Sequence, residues 1–456
     1  MAEGKTIDVA ALIENQKGNW FRVSIVAWAC AVMLMEGYDI QVLAYAAPSI
    51  IKAWQIDRSY FGPIFGFSLF GYMLGATVFS NLADRVGRRK IILGGVFLFG
   101  AFNFVTVYAH TLGVLLVLRF LAGIGLGASI PSTIALTVEY FPAKARATMI
   151  GVLFAGYTVG ATLGGFIAAS LIPKFGWQSV FYVGGIVPIA LAAVLLFTLP
   201  ESVRFLALTG NQPGRVAAIL AKLRPDLTID ADAQFMVREE NQSGIPVKHL
   251  FTDGRARMTL LLWFAYVTSL LGHYFLTSWM PTLLVGAGVP LARAVIAGGL
   301  LQAGGGVGGL LLCWLLDKRG IVAVAIAFAL SAPLIVLIAS STHASDLILM
   351  SLVFFTGTCL IGGQTGLNGV SGTFYPTYIR STGTGWAFGV GRVGSILGPV
   401  LGGVLISFNL PISILFTCAA VPALCCAGAT YLLGRKPAAA IVSQSPAVPP
   451  SPAPSA

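Results

Sequence analysis

The residues of this 456-residue chain that could do chemistry are few, and apolar sequence surrounds them. Glu36 and Asp39 are three residues apart, so on a helix both carboxyls share one face. Two acids held close together away from water cannot both stay ionised cheaply, so such a pair can load and release a proton; the alternative is a permanent ion pair with another helix. Arg392 lies mid-way along another apolar run. A guanidinium there offers a bidentate fork to a carboxylate ligand, or serves as a partner for Glu36 or Asp39. Arg119 is about two helical turns from one end of its run, where it either joins the same chemistry or snorkels outward. His273 is mid-run and titrates near neutral pH, which suits a proton or ligand role as well as that of a satisfied core histidine. Gln364 and Asn368, at i and i+4, share a face and can donate to a ring hydroxyl or bond a neighbouring helix. Tyr157, Tyr274 and Trp386 can stack on an aromatic ring or fill space.

The elements that position these residues follow from composition. The chain is 57% hydrophobic and 10% charged, against about a quarter charged in soluble domains. That much apolar surface needs lipid as its solvent, and a charge at the bilayer centre then costs at least about 2.5 kcal/mol, so each one above needs a reason. Apolar runs fall at 20–48, 59–82, 91–110, 112–137, 148–171, 177–199, 258–285, 292–315, 321–341, 346–372, 382–405 and 409–433, each long enough to span a bilayer as a helix. The expected fold is an all-α membrane protein of twelve transmembrane helices in two six-helix bundles. It divides into an N-terminal segment (1–19), a first bundle (20–200), a polar central loop (201–257), a second bundle (258–434) and a Pro/Ser/Ala-rich disordered tail (435–456). No cleavable signal peptide precedes the first run.

The basic residues orient this layout. With the N-terminus in the cytoplasm, 22 of the 28 Lys and Arg fall in inner segments, and only Lys52, Arg58, Lys174 and Arg293 fall outside. The positive-inside rule therefore puts both termini and the central loop in the cytoplasm. It also accounts for the net charge of +11 without nucleic acid.

The halves repeat at an offset of 233 to 234 residues. Gly71, Gly75, Asp84, Arg85 and Gly87 answer to Gly304, Gly308, Asp317, Lys318 and Gly320; Pro142 and Arg146 answer to Pro376 and Arg380; Gly160 and Gly164 answer to Gly394 and Gly398. At 234, His273 overlies Asp39, and Thr158 answers to Arg392. Repeat-built carriers bind their cargo between the halves near the midplane.

The run from Gly75 through Asp84-Arg85-x-Gly87-Arg88-Arg89 resembles the loop signature of the major facilitator superfamily. Within it, the chain is similar to the aromatic acid:proton symporters in Glu36-Gly37-Tyr38-Asp39, in Arg119 to Gly127, in Glu139-Tyr-Phe-Pro142, in Tyr274 to Pro281 and in Gly389-x-Gly-Arg392-x-Gly394. Glu36 stands where that family usually has Asp, a variant closer to its phenylpropionate-type members. The resemblance implies proton-coupled uptake of a benzoate, hydroxybenzoate or phenylpropionate across a bacterial inner membrane by a monomer, with no cofactor. It points to Glu36 and Asp39 as proton-handling acids; the placement of His273 adds it to that group, and the placement of Arg392 and Arg119 suits them to meet the acid. It also implies that Asp84, Arg85, Arg88, Arg89, Glu139 and Arg146 form an inner latch when the carrier faces outward, unless these charges only set topology. A proton-driven exporter, or a carrier of another organic acid or a sugar, is the rival reading.

Other signals are deceptive. Gly389-Val-Gly391-Arg-Val-Gly394 matches a dinucleotide fingerprint but follows no strand and lies inside an apolar run. The six cysteines fall in apolar runs without metal-ligand spacing. No motif supports an enzyme.

Overall fold

The computed structural model describes residues 6–14, 19–209, 213–224, 234–236, 247–252, 254–375 and 379–435. Lys5, Lys17, Pro376 and the tail from Lys436 lie outside them. Among the described residues, twelve helices are long and apolar enough to cross a bilayer. They are numbered α1 (Trp20–Trp54), α2 (Phe61–Val86), α3 (Arg88–Thr106), α4 (Leu112–Glu139), α5 (Ala143–Phe175), α6 (Gln178–Thr198), α7 (Ala256–Gly286), α8 (Leu291–Arg319), α9 (Ile321–Ser340), α10 (Asp346–Phe374), α11 (Arg380–Ser407) and α12 (Ile412–Gly434). The protein is a multi-pass membrane protein. Helices α1, α5 and α8 outrun their apolar stretches, because polar residues at their ends continue the backbone ladder into the headgroup region.

Packing follows the repeat to the residue. Lipid tails are as apolar as leucine, so helices associate in a membrane by close contact, and small residues allow it. A Cβ at Gly71 or Gly75 would strike the backbone carbonyls of Phe120 and Ile124, which clamps α2 on α4. Gly304 and Gly308 meet the carbonyls of Phe354 and Thr358 in the same way, clamping α8 on α10. Gly160 on the Leu34 carbonyl repeats as Gly394 on the Val267 carbonyl. Gly87 and Gly320, with φ of 102° and 67°, end α2 and α8 in a backbone region that favours glycine. These pairs set the register: α1 and α2 map to α7 and α8 at 233, whereas α4 and α5 map to α10 and α11 at 234. Asp39 therefore answers to Gly272. The overlay of His273 on Asp39 at 234 is corrected by one residue, which is about 100° around a helix.

The halves meet along α2–α11, α5–α8 and α1–α7. The tight approaches lie toward the helix ends remote from the central segment: Gly62 on Gly403, Gly165 on Gly299, and the Phe65 and Trp279 rings at 5.4 Å. The central segment, read from its polarity as a loop, contains helices at Val203–Thr209 and Pro213–Leu223. Leu206, Val216, Leu220 and Leu223 on these helices are buried, so a short amphipathic face holds them down. Thr6–Asp8 pairs in parallel with Gln234–Met236.

Candidate functional site

Two arginines organise the polar interior, Arg119, buried in the first half, and Arg392, partly buried in the second. In the first half, α1 closes on α5 because Gly37 leaves no side chain against the Tyr157 carbonyl, and the Tyr38 hydroxyl donates to the Val180 carbonyl at 2.8 Å. This fixes the face that carries both acids. The Ser129 hydroxyl donates to Glu36 Oε1, while Glu36 Oε2 is buried without a hydrogen-bond partner. Asp39 accepts from Asn103 Nδ2 and lies 3.6 Å from Arg119 Nη1. Arg119 also donates to Thr106 Oγ1 at 2.8 Å, and its guanidinium lies 5.0 Å from the centre of the Phe181 ring. The outward snorkel open to Arg119 is not what occurs: the side chain is 2% exposed and turned inward. A carboxylate, a hydroxyl and an aromatic face together offset the loss of water around it.

In the second half, Arg392 projects from α11 into a ring of phenols. Its Nη2 donates to Tyr72 Oη at 3.3 Å, and its guanidinium lies 4.5 Å from the centre of the Tyr72 ring. Tyr274 and Tyr157 also interact with it, and Glu36 lies near both Tyr72 and Tyr157. His273 stacks on Tyr274 with ring centres 4.9 Å apart, and its Nδ1 is buried without a partner. Among the described residues Arg392 has no carboxylate at ion-pair distance, in contrast to Arg119. Tyr72, Tyr157 and Glu36 come from the first half, and His273, Tyr274 and Arg392 from the second. The cluster is therefore built between the halves.

The major facilitator superfamily model matches residues 29–397. The chain belongs to the major facilitator superfamily. It is 37% identical over 431 residues to a gallate transporter of Pseudomonas putida, with 94% of this chain and 95% of that one covered. It is 33% identical to the 4-hydroxybenzoate transporter PcaK of Acinetobacter baylyi, covering 94% of each. It is 35% identical to a 3-(3-hydroxy-phenyl)propionate transporter of Escherichia coli, covering 83% of this chain and 85% of that one. Among solved structures, a bacterial homologue of the human lysosomal transporter Spinster, in an inward-facing and occupied conformation, superposes with a TM-score of 0.75 at 16% identity, covering 94% of this chain and 100% of that one.

Other residues singled out in this superfamily member lie apart from the cluster or bond elsewhere. Trp386 is 44% exposed and stacks on Trp263 at 5.9 Å, and Phe251 meets Trp263 edge-on at 5.4 Å. Gln364 Nε2 donates to Asn368 Oδ1 at 3.0 Å, and the Tyr266 hydroxyl donates to the same oxygen at 3.1 Å. Asn368 thus takes part in bonding between helices, whereas Gln364 Oε1 is buried without a partner.

At the loop end, Arg88 pairs with Glu139 and lies 3.5 Å from Asp84. The Arg89 amide donates to Glu201 Oε1 at 3.0 Å and its guanidinium to the Leu196 carbonyl; Ser202 Oγ donates to Glu139 at 2.5 Å. Arg85 remains exposed, and Arg146 donates to the Phe141 carbonyl at 3.2 Å. In the second half Arg380 donates to the Tyr375 carbonyl at 3.2 Å, the same bond one repeat on. The described contacts of Arg88, Arg89 and Glu139 lie within the first bundle or with Glu201 and Ser202 at the start of the central segment.

Sequence reading missed Tyr72, Asn103, Ser129 and Glu201. Hydroxyls, amides and tyrosines are common in apolar helices, so only Asn103, a lone amide in the third run, stands out along the chain.

Proposed function

We propose that this protein is a secondary active carrier that takes up a small aromatic carboxylate together with protons, by alternating access of its two halves. The observation that carries the reading is the Arg392 guanidinium, held mid-helix among aromatic side chains from both halves, with no carboxylate at ion-pair distance among the described residues. A planar acid fits such a place: its carboxylate meets the fork of Arg392 while its ring lies among Tyr72, Tyr157 and Tyr274. The gallate, hydroxybenzoate and hydroxyphenylpropionate transporters among its relatives support that substrate class. Glu36 and Asp39, with His273 beside the cluster, are the proton-handling groups. Neutralising an acid offsets the charge the carrier must move when it reorients. Gln364, with its unpartnered oxygen, is placed to meet a ring hydroxyl. Asp84, Arg85, Arg88, Arg89, Glu139 and Arg146 act as the latch that favours the outward-facing state. The bias of basic residues supports an inner-membrane protein with bundles at 20–200 and 258–434 and both termini in the cytoplasm.

Uptake of labelled gallate, 4-hydroxybenzoate and 3-(3-hydroxyphenyl)propionate into proteoliposomes, with and without an imposed proton gradient, tests this reading. Accumulation of at least one acid, driven by an inward gradient, is expected. Indifference to the gradient would remove proton coupling. Extrusion against an inward gradient would replace uptake with export.

A further inference from the structure

Arg392 is not idle while it waits for an anion. We infer that the Tyr72 side chain occupies the place of the ligand carboxylate at Arg392, and that the acid binds by displacing it. This rests on the reading of Arg392 as the carboxylate site and adds the residue that competes for that site.

Tyr72, from the opposite half, is hydrogen-bonded to Arg392. Its hydroxyl accepts from Nη2 at 3.3 Å, and its ring lies under the guanidinium at 4.5 Å. A charge-assisted bond from a guanidinium to a carboxylate is shorter, at about 2.7–2.9 Å, and roughly twice as strong as a neutral one. A neutral phenol oxygen is therefore a weak occupant that a carboxylate can replace. The position of Tyr72 is set by its backbone rather than by its bond to Arg392. Gly127 closes on the Tyr72 carbonyl and Gly123 on its amide, so α4 grips α2 at this residue. Arg392 is fixed likewise on α11, where Gly394 closes on the Val267 carbonyl. Neither backbone can follow the other's side chain far. An incoming carboxylate takes the hydroxyl's share of Nη2, and the bond between the halves is exchanged for a bond to the cargo. The ring of Tyr72 stays beside the site as an aromatic wall. Binding of an acid thereby releases one tie between α2 and α11, which links occupancy to separation of the halves at this level.

The test is calorimetric titration of the purified full-length chain with 4-hydroxybenzoate, gallate and 3-(3-hydroxyphenyl)propionate, and with the neutral isostere 4-hydroxybenzamide. Tyr72→Phe keeps the ring and removes the competing oxygen. The Kd for the acid is expected to fall about five- to ten-fold, as loss of one competing hydrogen bond predicts, while the amide binds as before. Tyr72→Leu should show the same gain of acid over amide, whatever it does to ring packing. Unchanged or weaker acid binding by Tyr72→Phe, or an equal shift for acid and amide, overturns the inference. Arg392→Ala, titrated alongside, separates the two claims. If Arg392→Ala binds the acid as well as the unaltered chain does, or if the unaltered chain binds none of the three acids, the carboxylate site itself is wrong. If Arg392→Ala loses the acid and Tyr72→Phe does not tighten it, the site stands and the displacement fails.

Discussion

The N-terminal and C-terminal halves share a scaffold and bury opposite chemistry. The Gly71 and Gly75 contacts with α4 reappear as the Gly304 and Gly308 contacts with α10, and the Arg146 bond to the Phe141 carbonyl reappears as Arg380 on Tyr375. The arginines are not repeated: Arg119 answers to Val353, and Arg392 answers to Thr158. The first half neutralises its arginine internally, with Asp39 at 3.6 Å. The second half leaves its arginine to phenols, two of them, Tyr72 and Tyr157, lent by the first half. Contacts between backbones can be duplicated because the same small residue solves the same steric problem twice. A buried charge cannot be duplicated so freely, since each copy needs its own partner. On the proposed reading, one arginine is part of a half's structure, and the other is left for the cargo.

That contrast can be broken first at Arg119. Arg119→Ala leaves Asp39 buried without its cation and should destabilise the protein by about 3–5 kcal/mol, read as a fall in the thermal unfolding midpoint in detergent. Adding Asp39→Asn should restore a large part of the loss. A single variant as stable as the parent would mean that the pair does not hold the first half together.

Arg392→Ala should behave in the opposite way. Its neighbours are neutral, so the unfolding midpoint should change little, while affinity for aromatic acids should fall about 100-fold, or about 2.7 kcal/mol. A large stability loss without a binding defect would make Arg392 a second structural arginine and erase the distinction.

The shared scaffold predicts matched effects. Gly71→Leu and Gly304→Leu each push a side chain against a backbone carbonyl that has no rotamer to yield. Each should cost about 1–3 kcal/mol in the same unfolding assay. A strong effect in one half alone would show that the glycine clamps are equivalent in position but not in energy.

The smallest effect is expected at the loop-end cations. Arg88 is half-buried against Glu139, whereas Lys318, which answers to Arg85 one repeat on, lies over the exposed Trp314 ring at 4.1 Å. Lys318→Ala should cost no more than about 1 kcal/mol, and Arg88→Ala should cost more than Lys318→Ala. Reversal of that order would place the stronger latch in the second half.

The sequence by itself determined the spans, the repeat and the small set of ionisable residues inside the apolar runs. It could do so because lipid exacts a penalty for every polar group, and that penalty is written locally in composition and in glycine spacing. Glu36, Asp39, Arg119, His273 and Arg392 could all be named as residues that need partners. Which partner each one has was decided by tertiary structure. Arg119 could face outward or inward until α1 and α3 brought Asp39, Asn103 and Thr106 around it. Trp386 was as good an aromatic as any until α7 set Trp263 beneath it. Tyr72 carried no signal along the chain, because a tyrosine in a helix is ordinary until a guanidinium from the other half reaches its hydroxyl. A one-residue change of register between α2 and α4 moved the repeat partner of Asp39 from His273 to Gly272, and only the glycine contacts reveal it. Periodicity and composition act within an element, so they are legible in one dimension. The pairing of charges acts between elements that lie up to 320 residues apart, and only the packed helices decide it.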